Sequence, residues 1–265
     1  MDRTLLHYYS PSACLLIFIF INRSTVETGS QEVTLAVLPF FHIYSMTAIM
    51  IMGLRLGMKV ITLPKFDPEL FIKALINYKP TVLNLVPPLV SFLASEQSVK
   101  SQHLASVNYV TGGAAPFGPT LISKFLTKCA PHKPNFQEGF GMTESSPVTH
   151  LQPIKDGFLG GCGYPMPNTI AKIIDLETGE PLPPDHDGEL CVSGPQVMMG
   201  YHRNRRATKN TIKEGWLHTG DVAKYREDGQ FIIVDRLKEL IKVKGHQVIN
   251  IFTILIKPSS SGCTK

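Results

Sequence analysis

From Val33 onward, short apolar runs alternate with longer stretches of helical period. "VTLAVLPF" (Val33 to Phe40) is rich in β-branched and apolar residues and ends at Pro39, the pattern of a buried strand. Ser45 to Leu56 is apolar over the length of a helix and meets Gly57, which predicts a helix that stops there. "KVITL" (Lys59 to Leu63) reads as a strand closed by Pro64. "DPELFIKALINY" carries its own start signals, with Asp67 as N-cap and Pro68 at the first helical position. Its buried face is predicted to hold Leu70, Phe71, Ala74 and Leu75. "TVLNLV" is strand-like again. This β-α-β-α-β alternation predicts an α/β fold, a mostly parallel sheet covered by helices on both faces. Ligands of such sheets bind beyond the carboxyl ends of the strands. "VNYVTGGAAP" (Val107 to Pro116) fits that place, a short strand running into a turn almost free of side chains.

From Gly161 the texture changes. "AKIID", "GELCVSG" and "FIIVD" are short strands divided by Pro, Gly and Asp turns, which predicts a small β-rich subdomain. Residues 1–30 lack clear periodic organisation apart from the apolar run Ala13 to Ile21, which is shorter than the roughly 20 residues of a membrane span. Arg3 precedes that run, but no small-residue cleavage pattern follows, so a buried strand or a non-native start is expected rather than a signal peptide.

Composition narrows the function classes. With 43% hydrophobic and 18% charged residues, the chain reads as globular rather than disordered. The net charge of +5 is concentrated at Arg203, Arg205, Arg206 and Lys209 and again at Arg236, Lys238, Lys242 and Lys244. No aromatic platform is interleaved with these bases, so a small anionic ligand or a solvated face is expected, and no nucleic acid. Cys14, Cys129, Cys162, Cys191 and Cys263 are far apart, which argues against a metal knuckle or disulfide framework and for a reducing compartment.

Five places carry candidate chemistry, each with a plainer alternative. The Gly112 to Pro116 turn is either a tight turn or bare backbone that lets a ring or phosphate approach. In "GFGMTES", Thr143 and Glu144 either cap a helix or offer a hydroxyl to phosphate and a hard oxygen to Mg²⁺. Asp221 in "WLHTGD" is a turn residue or an acceptor for a ribose diol. "DRLKELIKVKG" is a solvated basic face or a source of anion stabilisation. His42 is a core histidine or the lid of an apolar slot.

In order, "LPFFHIYSM", "GGAAP", "GFGMTE", "GELCVSGPQVMMGY", "GWLHTGD", "FIIVDRLKELIKVKG" and "HQV" resemble the successive motifs of adenylate-forming enzymes. The similarity leans to the 4-coumarate–CoA ligase and beetle-luciferase branch and covers roughly Gln31 to Val248. The resemblance implies joining of a carboxylic acid to ATP, with Mg²⁺, and passage of the acyl group to coenzyme A. It implies that Gly113, Ala114 and Ala115, with Gly139, Phe140 and Gly141, line the adenine and acyl slots. Thr143 would meet the α-phosphate, Glu144 the magnesium, Asp221 and Arg236 the ribose, and His42 the acid. Lys242, Lys244 and Gly245 would belong to a swinging segment that touches coenzyme A, and Gln247 would reach the nucleotide. Asp235 would mark a hinge, which divides the chain into 1–30, 31–160, 161–234 (a distorted barrel) and 235–265.

Two departures from the family pattern shape the expectation for activity. The Ser/Thr/Gly-rich phosphate loop has no counterpart in residues 1–30, and a Pro-Ala-Glu-Leu-Glu-like helix does not follow "KGHQV". Both ends therefore read as foreign and are expected to pack poorly. The resemblance implies a ligase impaired as this polypeptide, or a non-catalytic nucleotide and acyl-adenylate binder. A cytoplasmic or peroxisomal location is expected, although no Ser-Lys-Leu ending is present.

Overall fold

The computed structural model describes residues 31–154 and 157–237, together with the backbone of Ile241–Val243 and His246–Val248. Residues 1–30 and 249–265, with the expectation that they pack poorly, lie outside the described residues.

Seven strands form the first sheet, in the order β2-β1-β3-β4-β5-β6-β7. β1 (Val33–Ala36), β2 (Lys59–Thr62), β3 (Val82–Leu85), β4 (Tyr109–Gly112) and β5 (Asn135–Gly141) run parallel where they pair. β6 (Val148–Leu151) and β7 (Tyr164–Pro165) are added antiparallel. β3 is buried at all four positions, as a strand covered on both faces must be. On one face pack α2 (Pro68–Tyr78), α3 (Pro87–Ser95), α4 (Ser101–Leu104) and α5 (Pro119–Cys129), burying Phe71, Leu75, Leu93 and Phe125 against Leu35, Leu83 and Val110. The connection from β1 to β2 covers the other face. Ile61 of β2 packs into the first core, whereas a Cβ on Gly53 would come within 2.8 Å of its neighbour Val60.

The local signals act as anticipated, with instructive differences. The Asp67 side chain accepts from the backbone N–H of Leu70, Pro68 opens α2, and Phe71, Ala74 and Leu75 are buried. Leu70 is 42% exposed and belongs outside that face. The Ser45 to Leu56 helix stops before Gly57, which takes φ +65°. Its first part, Ser45–Ile51, is wound as a π-helix before α1 (Met52–Arg55). The apolar stretch after β1 stays extended in sequence pattern only: pairing ends at Ala36.

The second sheet is antiparallel throughout and curls as a half-barrel. It holds β8 (Ile170–Ile174), β9 (Gly188–Ser193), β10 (Ile212–Lys213), β11 (Trp216–Tyr225) and β12 (Phe231–Arg236). A seven-residue helix, α6 (Arg205–Thr211), precedes β10. Ile173, Leu190, Val192, Leu217 and Phe231 form its core, with Phe140 and Met142 from the end of β5 packed against it. Gly163 lets the sheets meet, because its φ of +82° and its position 2.2 Å from the Leu151 carbonyl oxygen (for an added Cβ) admit no side chain. β13 (Ile241–Val243) and β14 (His246–Val248) form a separate antiparallel pair.

Candidate functional site

β5 changes partners midway. Residues Asn135 to Glu138 pair in parallel with β4, and Gly139 to Gly141 pair antiparallel with β6. Such a switch point leaves a crevice beyond the carboxyl ends of the strands. The Gly113 to Pro116 turn after β4 forms one lip, with Ala114 held at φ +70°. The opposite lip comes from the second sheet. A bulge in β11 between His218 and Val222 turns Asp221 toward the crevice, opposite Arg236 on β12.

Two adjoining cavities occupy the crevice. The larger, about 570 Å³, is bordered by His42, Gly113, Ala114, Gly139, Phe140, Gly141, Thr143, Glu144 and Arg236. The smaller, about 340 Å³, is bordered by Ala115, Glu138, Asp221 and Asp235 and shares Ala114, Gly139, Phe140, Gly141 and Arg236 with the first. Residues more than a hundred positions apart in sequence therefore converge. Lys242 and Gln247 are paired backbone positions in the β13–β14 register. Lys244 and Gly245 lie outside the described residues.

The local contacts define what each group can offer. Arg236 Nε donates to Asp221 Oδ1 at 3.1 Å, holding a nearly buried carboxylate at the cavity wall. Tyr201 donates its hydroxyl to Glu144 Oε1 at 2.7 Å, and burial with that carboxylate raises the phenol's pKa. Thr143 opens a single 3₁₀ turn (Thr143–Ser145) whose cap is Met142, so it does not serve as a helix N-cap. Its exposed hydroxyl borders the larger cavity. His42 is exposed at the rim, and its Nδ1 accepts from the backbone N–H of Tyr44, which excludes the core-histidine alternative. Gly141 has a packing reason for having no side chain: a Cβ there would lie 1.9 Å from the Pro147 carbonyl oxygen.

Several lining groups carry no mark of their role in the sequence. Tyr44 donates to the Thr111 carbonyl at 2.8 Å, and burial pushes its pKa up. Glu138 accepts from the backbone N–H of Phe117 through Oε1, so it ties down the Gly112 to Phe117 loop. Its Oε2 has no hydrogen-bond partner among the described residues, and burial raises its pKa to about 7. Glu189 accepts from Gly220 N through Oε1 and pairs with His218 through Oε2. All four stand inside or beside quoted motifs, but their pairings join positions more than twenty residues apart, which the motifs do not display.

Comparisons with known proteins bear on the family and the fold. The family model described as AMP-binding enzyme matches residues 7–202. That match starts within the 1–30 segment set apart above. 4-Coumarate–CoA ligase of Vanilla planifolia is 44% identical over 225 residues, covering 83% of this chain and 40% of the relative. 4-Coumarate–CoA ligase 1 of Arabidopsis thaliana is 41% identical over 228 residues with the same coverage. The chain thus spans 40% of the length of these curated relatives. ATP-bound MatB from Rhodopseudomonas palustris superposes with a TM-score of 0.81 at 27% identity, over 90% of this chain and 46% of that one. No helix among the described residues is long and apolar enough to cross a membrane. With its model matched over most of the sequence, this chain belongs to the AMP-binding enzyme family.

Proposed function

We propose that the chain carries the nucleotide- and acyl-binding core of an AMP-forming acid–thiol ligase similar to 4-coumarate–CoA ligases. The supporting observation is the shared wall. An acyl-adenylate needs an adenosine site and an acyl site joined at a phosphate, and the two cavities adjoin along Ala114, Gly139, Phe140 and Gly141. In this reading the smaller cavity takes the adenosine. Asp221, backed by Arg236, accepts from the ribose diol, and the bare Gly113 to Ala115 turn and Phe140 flank the flat base. The larger cavity takes the phosphate and the acid, with His42 at its rim.

The first half-reaction is attack of a carboxylate oxygen on the α-phosphorus of ATP, with pyrophosphate leaving. Two anions must approach, so donors placed around the phosphate do most of the work. Thr143 offers a hydroxyl to an α-phosphate oxygen. Glu144 presents a carboxylate at the same cavity, and one such carboxylate plus substrate phosphates is the usual holding of Mg²⁺. That ion, when bound, neutralises phosphate charge. In the second half-reaction the thiol of coenzyme A attacks the acyl carbon and AMP leaves, with Lys242, Lys244, Gly245 and Gln247 as the segment assigned to that step. A reducing compartment, cytosol or peroxisome, suits the buried free thiols of Cys129, Cys162 and Cys191.

Calorimetry on the 265-residue protein tests the reading, using AMP and a 4-coumaroyl-sulfamoyl adenosine. We expect the acyl-bearing compound to bind more tightly than AMP, and equal affinities would sink the two-cavity assignment. Pyrophosphate exchange by the same polypeptide is expected to be slow. The Arg236 side chain is 66% exposed at the junction of the cavities, so water reaches the reacting region, and even one misplaced donor costs ~10²–10³ in rate. Exchange as fast as in full-length relatives would overturn that expectation. Tight binding with no exchange favours the non-catalytic binder for this polypeptide.

A further inference from the structure

One face of the second sheet gathers three side chains of the kinds that bind borderline-soft metals. Glu189 and Cys191 lie two residues apart on β9, so the strand's pleat sends both to the same face. His218 on β11 pairs in register with Cys191, which brings the imidazole across that face. His218 Nδ1 lies 3.6 Å from Cys191 Sγ and 2.8 Å from Glu189 Oε2. The three donor atoms all fall within 4.8 Å of one another. Cys191 is buried and in no disulfide, while Glu189 and His218 are half-buried and border the larger cavity.

A His–Glu hydrogen bond that steadies the following turn accounts for two of these groups but leaves the thiol as a bystander. The distances say more. Zinc bonds of about 2.3 Å to sulfur and about 2.05 Å to nitrogen, at a tetrahedral angle, hold those atoms about 3.6 Å apart. The observed separation of Sγ and Nδ1 is 3.6 Å. A Glu189 oxygen lies at hydrogen-bond distance from Nδ1 and within 4.8 Å of Sγ, so it must open from the nitrogen and settle beside the sulfur to complete a third tetrahedral position.

We propose that Glu189, Cys191 and His218 form a site for a borderline-soft divalent cation, with Zn²⁺ the best match, whose fourth position faces the larger cavity. Three protein ligands with one open position are the pattern of a reactive or exchangeable zinc site rather than a closed structural one. Mg²⁺ prefers an all-oxygen octahedral shell, so the ion of the phosphate chemistry does not compete here. Glutamate and thiolate supply two negative charges against the two positive charges of the ion. On binding, the thiol releases its proton, and the Nδ1 proton now shared with Glu189 leaves that nitrogen for Nε2 or solvent. Burial, and then the neighbouring Glu189 carboxylate, push the Cys191 thiol up to about 12, while Lys172 and Lys213 pull the other way. Binding therefore releases protons and tightens as pH rises. The site stands independently of the ligase reading, because it uses only the β9–β11 register.

Titration of the reduced 265-residue protein with Co²⁺, a spectroscopic stand-in for zinc, tests the site. We expect a near-ultraviolet thiolate-to-cobalt band that saturates at one ion per chain. Zn²⁺ is expected to bleach it and excess Mg²⁺ to leave it. Cys191→Ser should abolish the band, Cys129→Ser should keep it, and His218→Gln should weaken Co²⁺ binding by roughly tenfold or more. Absence of the band, or its survival in Cys191→Ser, overturns the proposal. If circular dichroism shows that Cys191→Ser does not fold, Glu189→Gln and His218→Gln decide the matter. Wild-type Co²⁺ affinity in both of those variants overturns the proposal, and weakened affinity supports it.

Discussion

Replacing Asp221 by Asn tests the ribose assignment with little change of shape. The Asp221 side chain is 6% exposed and that of Arg236 66% exposed, so the two halves of the pair respond differently to the change. Arg236, released, is largely hydrated already, and an ion pair with one end in water contributes only about 0–1 kcal/mol to stability. The thermal midpoint should therefore move little. Binding should move far more. A hydrogen bond to a charged group is worth about 1.5–3 kcal/mol, which corresponds to a ~10- to 150-fold loss of nucleotide affinity. The assay is calorimetric titration with AMP and with 2′,3′-dideoxy-AMP, which lacks the diol. Wild type should prefer AMP by a similar factor, and the variant should bind both nucleotides alike. A variant that folds normally and still prefers AMP as strongly as wild type would refute the assignment.

Other outcomes follow from the same structure. Gly141→Ala places a Cβ 1.9 Å from the Pro147 carbonyl oxygen, so urea unfolding should show a loss at or above the ~1–3 kcal/mol of ordinary overpacking. Gly118→Ala, where an added Cβ meets nothing within 4 Å, is the control, and equal losses in the two would count against the packing account. Burial raises the Glu138 carboxyl to about 7 and lowers the His150 imidazole to about 3. As pH rises, Glu138 therefore removes stability between the unfolded carboxylate value of about 4.3 and its folded value, whereas His150 adds stability up to about 6.5, and the two slopes oppose each other where they overlap. Stability should be nearly flat from about pH 4.5 to 6.5 in wild type and climb through that range in Glu138→Gln, where a flat profile would contradict the account.

Elements with local start and stop chemistry were legible in the sequence. Asp67 and Pro68 begin α2, and Gly57 ends the helix before β2, because each acts within a few residues of itself. The π-helical winding of Ser45–Ile51 was not legible. An almost wholly apolar run has no polar face to mark its period, so a wider turn leaves no trace in the pattern. The exposure of Leu70 is a tertiary fact as well, since helical spacing alone cannot say where the covered stripe stops.

The candidate site divides along the same line. The side-chain-poor turn at Gly113 and the Thr143–Glu144 pair could be read as chemistry because they are contiguous. Their meeting with Asp221 rests on two long-range devices, the change of partner within β5 and the bulge in β11. Gly141 shows how a motif can be recognised for an incomplete reason. Its bare backbone suits a ligand, yet the Pro147 carbonyl already forbids a side chain there. Glu138 shows the converse. Nothing in "NFQEGFG" sets that carboxyl apart from a surface glutamate, whereas β5 buries it with one oxygen bound to the Phe117 N–H and the other, among the described residues, unpaired at the cavity wall. A buried carboxyl with a free oxygen is costly unless something uses it, so the wall of the smaller cavity holds a group that sequence pattern alone assigns to solvent.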